Sequence, residues 1–320
     1  MRKLKDYGYF NFILKYKNKR LFKKEFIILL FIFYFYIINI FYKNKIKNTK
    51  VAICTIGKKE NLYVKEFISY YIKLGMDHIF IYDDNEPNTE EISTEIEPKY
   101  KFFVTIYKFN GTQADSYNDC YQRNNLKYNW LLFVDFDEYL YIRKYPLKYY
   151  LNKPIFNKCD FIHFHWVMAT DNNLIHYDNR SLFERFKGPY IKSKFIKSII
   201  RGNIKDLKYI VHSAGKSPYK NISCNNIGQI IKYNNIDIEY ISQINIRDAY
   251  LIHFRFKSTE EFINKYKRGY RLMSVLINLL EEYFKYNIVT LEKICYLEKE
   301  LKINLTKYKK NKKFLFYYYI

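Results

Sequence analysis

The stretch Trp-Leu-Leu-Phe-Val-Asp-Phe-Asp-Glu-Tyr-Leu at 130–140 constrains the fold more than any other. Five consecutive apolar residues, Trp130 to Val134, suit a strand covered on both faces of a sheet. Three carboxylates then follow at Asp135, Asp137 and Glu138. An apolar core cannot hold them unpartnered, so they either reach solvent at the strand's C-terminal end or hold something positive. Asp135 and Asp137 are two apart and face the same side of an extended chain. Carboxylates so placed suit a divalent cation that completes its shell with phosphate oxygens; a solvated acidic turn is the alternative.

The N-terminal part has a different character. Phe26 to Tyr42 carries no charge over 17 residues, which suits a short transmembrane helix with interfacial tyrosines. A signal peptide fits poorly, because a long segment precedes the run and no small-residue cleavage site follows it. The expected division is a basic cytoplasmic tail (1–25), an anchor (26–42), a linker (43–50), a catalytic domain (51–280) and a helical, basic C-terminal extension (281–320). Nine Lys or Arg residues precede the span and four follow it between Lys43 and Lys50, so the N-terminus is expected in the cytoplasm. Of the net charge of +23, the first 50 residues hold +11, from 13 basic residues against Asp6 and Glu25. The rest of the chain is only mildly basic and carries no helix-turn-helix, RNP or zinc-finger signature, so no nucleic-acid partner is expected. The five cysteines are odd in number and lack a C-x-x-C pair, which leaves structural zinc unsupported. Cys54, inside an apolar run, reads as an inert core residue.

From Val51 strands alternate with helices. Val51–Ile56, His78–Tyr82, Phe102–Tyr107 and Trp130–Val134 read as strands, and Leu62–Leu74 and Ala114–Asn124 as helices, with Gly75 as a C-cap. This pattern predicts an α/β fold with a mainly parallel sheet, whose ligands lie at the strands' C-terminal ends. Those ends carry Thr55, Asp83 and Asp135/Asp137. Further on, 161–167, 191–200 and 249–254 read as strands and 260–280 as helical.

These residues resemble a known family. Val-Ala-Ile-Cys-Thr at 51–55, Glu66, Gly75, Tyr-Asp-Asp-Asn at 82–85, Gln113, the segment 130–140, Val-His-Ser at 211–213 and His-Phe-Arg-Phe-Lys-Ser-Thr-Glu-Glu-Phe at 253–262 are similar to glycosyltransferase family 92 and its family-2-like relatives. The resemblance covers roughly residues 50–275. It departs at Tyr139, where another aromatic is usual, and is poor between Ala169 and Arg201. It implies a Rossmann-like GT-A fold, a nucleotide-diphosphate sugar donor, a glycan acceptor, Mn²⁺ or Mg²⁺, and transfer with inversion. In a eukaryote the body would then be lumenal and Golgi-type; in a bacterium, attachment at the cytoplasmic face would keep it near its donor.

A departing sugar diphosphate needs its charge neutralised by a metal or by fixed cations. Asp137 is expected to bind metal directly, Asp135 to bind metal or ribose, and His253 to be a third ligand, since imidazole suits Mn²⁺. Lys257 would pair with the diphosphate, and Thr55, Glu60, Asp83 and Gln113 would line the nucleotide. For the base that takes the acceptor proton, Glu184, His212, His165 and Asp171 stay open. Other readings are a Mg²⁺-dependent nucleotidyl- or phosphotransferase, which would lack a Walker-type glycine loop, and a non-catalytic glycan-binding membrane protein.

Overall fold

The computed structural model describes residues 19–87, 89–209, 211–212, 221–231, 243–269 and 273–305. The basic tail before residue 19, Ser213 and the C-terminal tail from Lys307 lie outside them. The chain divides into two compact units, one up to Thr49 and one from Lys50.

The first unit is helix α1 (Lys19–Asn48). Its segment Phe26–Asn48 has a mean hydropathy of 2.1, and one such helix is long and apolar enough to cross a bilayer. The expected linker from 43 is thus mostly helical. No Gly or Pro interrupts 43–48, and Lys45 and Lys47 complement the negative end of the helix dipole.

The second unit is built on one sheet of nine strands: β1 (Val51–Gly57), β2 (His78–Asp83), β3 (Val104–Lys108), β4 (Trp130–Phe133), β5 (Glu138–Ile142), β6 (Phe161–Ala169), β7 (Tyr190–Arg201), β8 (Ser223–Asn225) and β9 (Ala249–His253). Their order is β3-β2-β1-β4-β7-β6-β9-β5, with β8 beside β6. The first four strands are parallel, as expected. Beyond β4 the sheet is mixed: β7 runs antiparallel to β4 and β6, and β5 antiparallel to β9, while β6 and β9 are parallel.

Alternation along β1 assigns its two faces. Val51 and Ile53 pack against Tyr63, Val64 and Phe67 of helix α2 (Asn61–Leu74). Ala52 and Cys54 pack against Tyr117 and Tyr121 of helix α3 (Gln113–Asn124). Both helices are bounded as the sequence implies. Gly75 caps α2 at φ +104°, and Thr112 with Asp115 forms a capping box on α3. Short helices α4 (Leu147–Leu151) and α5 (Leu182–Arg185) follow, and the helical stretch expected at 260–280 is two helices, α6 (Thr259–Gly269) and α7 (Met273–Tyr286). Because α7 runs past residue 280, the expected boundary there falls inside a helix. Tyr283 on α7 and Lys293 on α8 (Leu291–Leu301) both donate to buried Asp171, joining the C-terminal helices to the body.

The reading of Cys54 as an inert core residue is corrected: it is disulfide-bonded to Cys120 of α3, and Cys159 to Cys224 of β8. Each pair is more than sixty residues apart in sequence, so only the packing of a helix on β1, or of β8 on β6, brings the sulfurs together.

Candidate active site

The acidic segment leaves β4 at its C-terminal end and turns directly into β5. Phe136 anchors the turn by packing on Phe67, with ring centroids 4.7 Å apart. It also lies so close to the end of β1 that a Cβ on Gly57 would meet its ring at 2.6 Å; only glycine fits there. The flanking carboxylates are therefore held in place from below.

Asp135 accepts hydrogen bonds from Tyr117 Oη at 2.8 Å and from Gln113 Nε2, and Lys197 Nζ lies 3.3 Å from each of its oxygens. Asp137 accepts from Lys265 Nζ at 2.6 Å, with His253 Nε2 at 3.4 Å and Lys257 Nζ at 4.0 Å. Buried Glu138 accepts from the Asp135 backbone N–H at 3.0 Å and lies 3.8 Å from Lys197. Strand pairing makes this convergence: Glu138 on β5 is directly opposite His253 on β9.

Burial opposes ionisation of both aspartates. Lys197 beside Asp135, and Lys265 with His253 beside Asp137, outweigh it, holding both carboxyls below the usual range, Asp137 well below. For Glu138 burial wins, and its carboxyl is pushed well above that range. Burial also lowers His253 and Lys257. Lys257 has a left-handed backbone (φ +55°) and is buried, its ammonium 3.9 Å from the Tyr63 ring centroid and 3.9 Å from Glu60. A lysine in that conformation is strained, and its surroundings hold it there.

A cavity of about 270 Å³ opens on this cluster, lined by Asp135, Trp166, His212, His253, Arg255 and Lys265 among others. His212 Nδ1 is 3.3 Å from the Ile196 carbonyl, and burial, then Lys197, lowers its pKa to about 4, so it is neutral near pH 7.

Of the residues expected from sequence, Gln113, Asp135, Asp137, His212, His253, Lys257 and Glu60 come together here. Thr55 lies buried near the end of β1, its hydroxyl without a partner among the described residues. Asp83 serves its own loop, accepting from the Asn85 and Ile92 N–H groups and from Lys108; it lines a separate cleft of about 590 Å³. Glu184 is exposed and reaches back to Ser181 in a capping box. The Ser181 hydrogen bonds lower its pKa. Asp171 is bound by Lys293 and Tyr283, and buried His165 contacts Asn245. Lys197 and Lys265 were missed. Lysines are abundant in this chain, and Lys197 lies in the segment of poor resemblance; its one signal is a charge within a β-prone run, Phe195–Ile200.

Among the described residues no three His, Cys, Asp or Glu side chains converge as a ligand set. Two do fit an ion. Asp137 Oδ1 and His253 Nε2, 3.4 Å apart, are spaced as neighbouring ligands of one cation, and His253 Nδ1 is buried without a partner among the described residues. Carboxylate with imidazole suits Mn²⁺.

No family model matches the chain. Curated relatives do. A glycosyltransferase family 92 protein of Arabidopsis thaliana is 29% identical over 94 residues, covering 29% of this chain and 16% of that protein. Others from Ricinus communis and from Oryza sativa subsp. japonica are 24% and 25% identical, each over 30% of this chain and 18% and 17% of their own length. The chain resembles glycosyltransferase family 92. It spans less than a fifth of the length of these relatives. Among solved structures, S. aureus TarS 1–349 aligns over 81% of this chain and 77% of that chain at 11% identity and a TM-score of 0.32. HddC from Yersinia pseudotuberculosis aligns over 48% and 77% at 10% identity and a TM-score of 0.31. At such TM-scores neither likeness bears on fold or chemistry.

Proposed function

We propose that the body from Lys50 is a GT-A glycosyltransferase that moves a sugar from a nucleotide-diphosphate donor to a hydroxyl of a glycan, protein or lipid acceptor, with inversion. The observation that carries this reading is the meeting of Asp135, Asp137 and His253 with Lys257 and Lys265 at the C-terminal end of β4, beside a cavity. Ligands of parallel α/β sheets bind at such ends. The family 92 resemblance supplies the reaction class.

A Mn²⁺ or Mg²⁺ ion held by Asp137 and His253, with Asp135 direct or through water, would neutralise charge on the departing diphosphate. The protein's own cations act in the same sense: Lys265 and Arg255 line the cavity, and Lys257 is fixed behind them. His212 supports the base role better than Glu184, because it lines the cavity. With Nδ1–H donated to Ile196, Nε2 keeps a lone pair for the acceptor proton. As the acceptor oxygen bonds to the anomeric carbon, the bond to the diphosphate breaks and the nucleotide leaves as an anion.

The 2.6 Å contact of Lys265 with Asp137 supports a second reading, in which the ammonium supplies that charge without a metal. One experiment tests both. Full-length protein in detergent is screened against UDP- and GDP-sugars, scoring nucleotide release with Mn²⁺ and with chelator. Release that needs Mn²⁺ favours the first reading, and chelator-resistant release the second. No release or binding of any donor would overturn the function.

We further propose that α1 anchors the protein and that the body lies on the oxidising side of the membrane. The basic N-terminal flank supports that orientation, and so do two buried disulfides, which form and persist outside the cytosol.

A further inference from the structure

We infer that the edge of the sheet opposite the cavity is a bilayer-docking surface. The pairings align the starts of the four parallel strands: Val51 beside Trp130, Ala52 beside His78, and Ile79 beside Val104. The segments just before those starts therefore share one edge. There Phe102 is 91% exposed and Leu126 80% exposed, the two most exposed large apolar side chains among the described residues of the body. The order β3-β2-β1-β4 puts them three strand spacings apart, roughly 14 Å. Lys101, Lys127 and Lys50 are exposed beside them. Two acidic residues near this edge are paired, Asp77 with Lys148 and Glu97 with Lys99. Apolar tips amid lysines match the chemistry of a bilayer surface, where apolar side chains insert at the headgroup boundary and lysines meet the phosphates that every phospholipid carries.

Chain connectivity favours lipid over another protein. Only Thr49 and Lys50 separate the end of α1 from β1, so a body tethered through α1 meets lipid at high local concentration. The inference rests on the anchor reading in that respect. It directs the cavity away from the lipid, at the far end of a seven-residue strand.

The test uses the full chain in phosphatidylcholine vesicles containing acyl-chain-brominated lipid, which quenches tryptophan that inserts. The native Trp130 and Trp166 are buried and provide the baseline. Phe102→Trp and Leu126→Trp, both at exposed positions, should each add emission that the brominated lipid quenches. Leu291→Trp, exposed at the start of α8, should add emission that is not. Phe31→Trp reports on the span. Quenching at 31 but not at 102 or 126 overturns the docking surface. Quenching at 102 and 126 without 31 keeps it and overturns the anchor. Equal quenching at 291 also overturns it, because the contact would then be non-specific.

Discussion

Of the four parallel strands β3-β2-β1-β4, β4 runs into the carboxylates of the candidate site, whereas the elements beyond β4 bring its lysines and histidine to the same place. Asp135 and Asp137 leave β4, while Lys197 comes from β7, His253 from the end of β9 and Lys265 from α6. Neither half is electrostatically complete. The acidic half alone would bury like charges, and the basic half would leave ammonium groups unpaired. Assembly of the candidate site is therefore bound up with closure of the whole sheet, and its charges also serve the fold.

The most severe way to break this division is Lys197→Ala. It leaves Asp135 and Glu138 without their shared cation, and removing one partner of a buried ion pair costs about 3–5 kcal/mol. Urea unfolding measures it; a loss under about 1 kcal/mol would mean that the halves are not coupled through charge. Next come the disulfides, one in each half. In the chain-entropy description, a link closing some 65 residues contributes about 4 kcal/mol, so Cys54→Ser/Cys120→Ser and Cys159→Ser/Cys224→Ser should lower stability alike. If one pair proves silent, that half holds its shape by packing alone.

Asp137→Asn keeps shape but removes the charge that Lys257 and Lys265 face. Donor turnover should fall on the order of 10²-fold, equivalent to about 2.7 kcal/mol, and activity within about threefold of the native chain would remove Asp137 from the site. The smallest effect is expected at Glu261, which receives Arg185 at 2.6 Å, Ser258 Oγ at 2.6 Å and Tyr63 Oη at 2.5 Å. Burial would raise its pKa, but Arg185 and the hydroxyls outweigh it and the folded value is depressed. Its contribution is therefore complete above the unfolded carboxylate value near ~4.3 and is lost as pH falls through the folded value below that. Glu261→Gln should flatten the acid limb of the melting temperature against pH, by a few degrees. An unchanged limb would place acid lability in the aspartates.

Much of the parallel half was legible, because its strands are short apolar runs between helices with ordinary caps. The start of β3 was misread: Phe102 and Phe103 belong to a 3₁₀ turn, and the strand begins at Val104. β5 was missed because Glu138 looked like the end of a strand; its partner on β9 lies over a hundred residues away, and nothing local announces such a pairing. Asp135, Asp137 and His253 were picked out from sequence, and the fold brings Asp137 and His253 within 3.4 Å of each other. Lys197 and Lys265 were not, because a lysine in a chain of 55 basic residues reads as surface until its neighbours are known. The disulfides were hidden for the same reason: sequence carries cysteines, but not the helix packing that pairs them.

The cysteines also decide how this protein can be handled. Cys295 is the one unpaired thiol and is exposed, so purified molecules can cross-link through it. Adding a reductant to prevent that would put both internal staples at risk. Replacing Cys295 with Ser would remove the need for reductant, and it would leave nothing for a thiol-reactive dye to label in the intact body. Labelling of that variant then becomes a direct gauge of how much of a preparation has lost its staples.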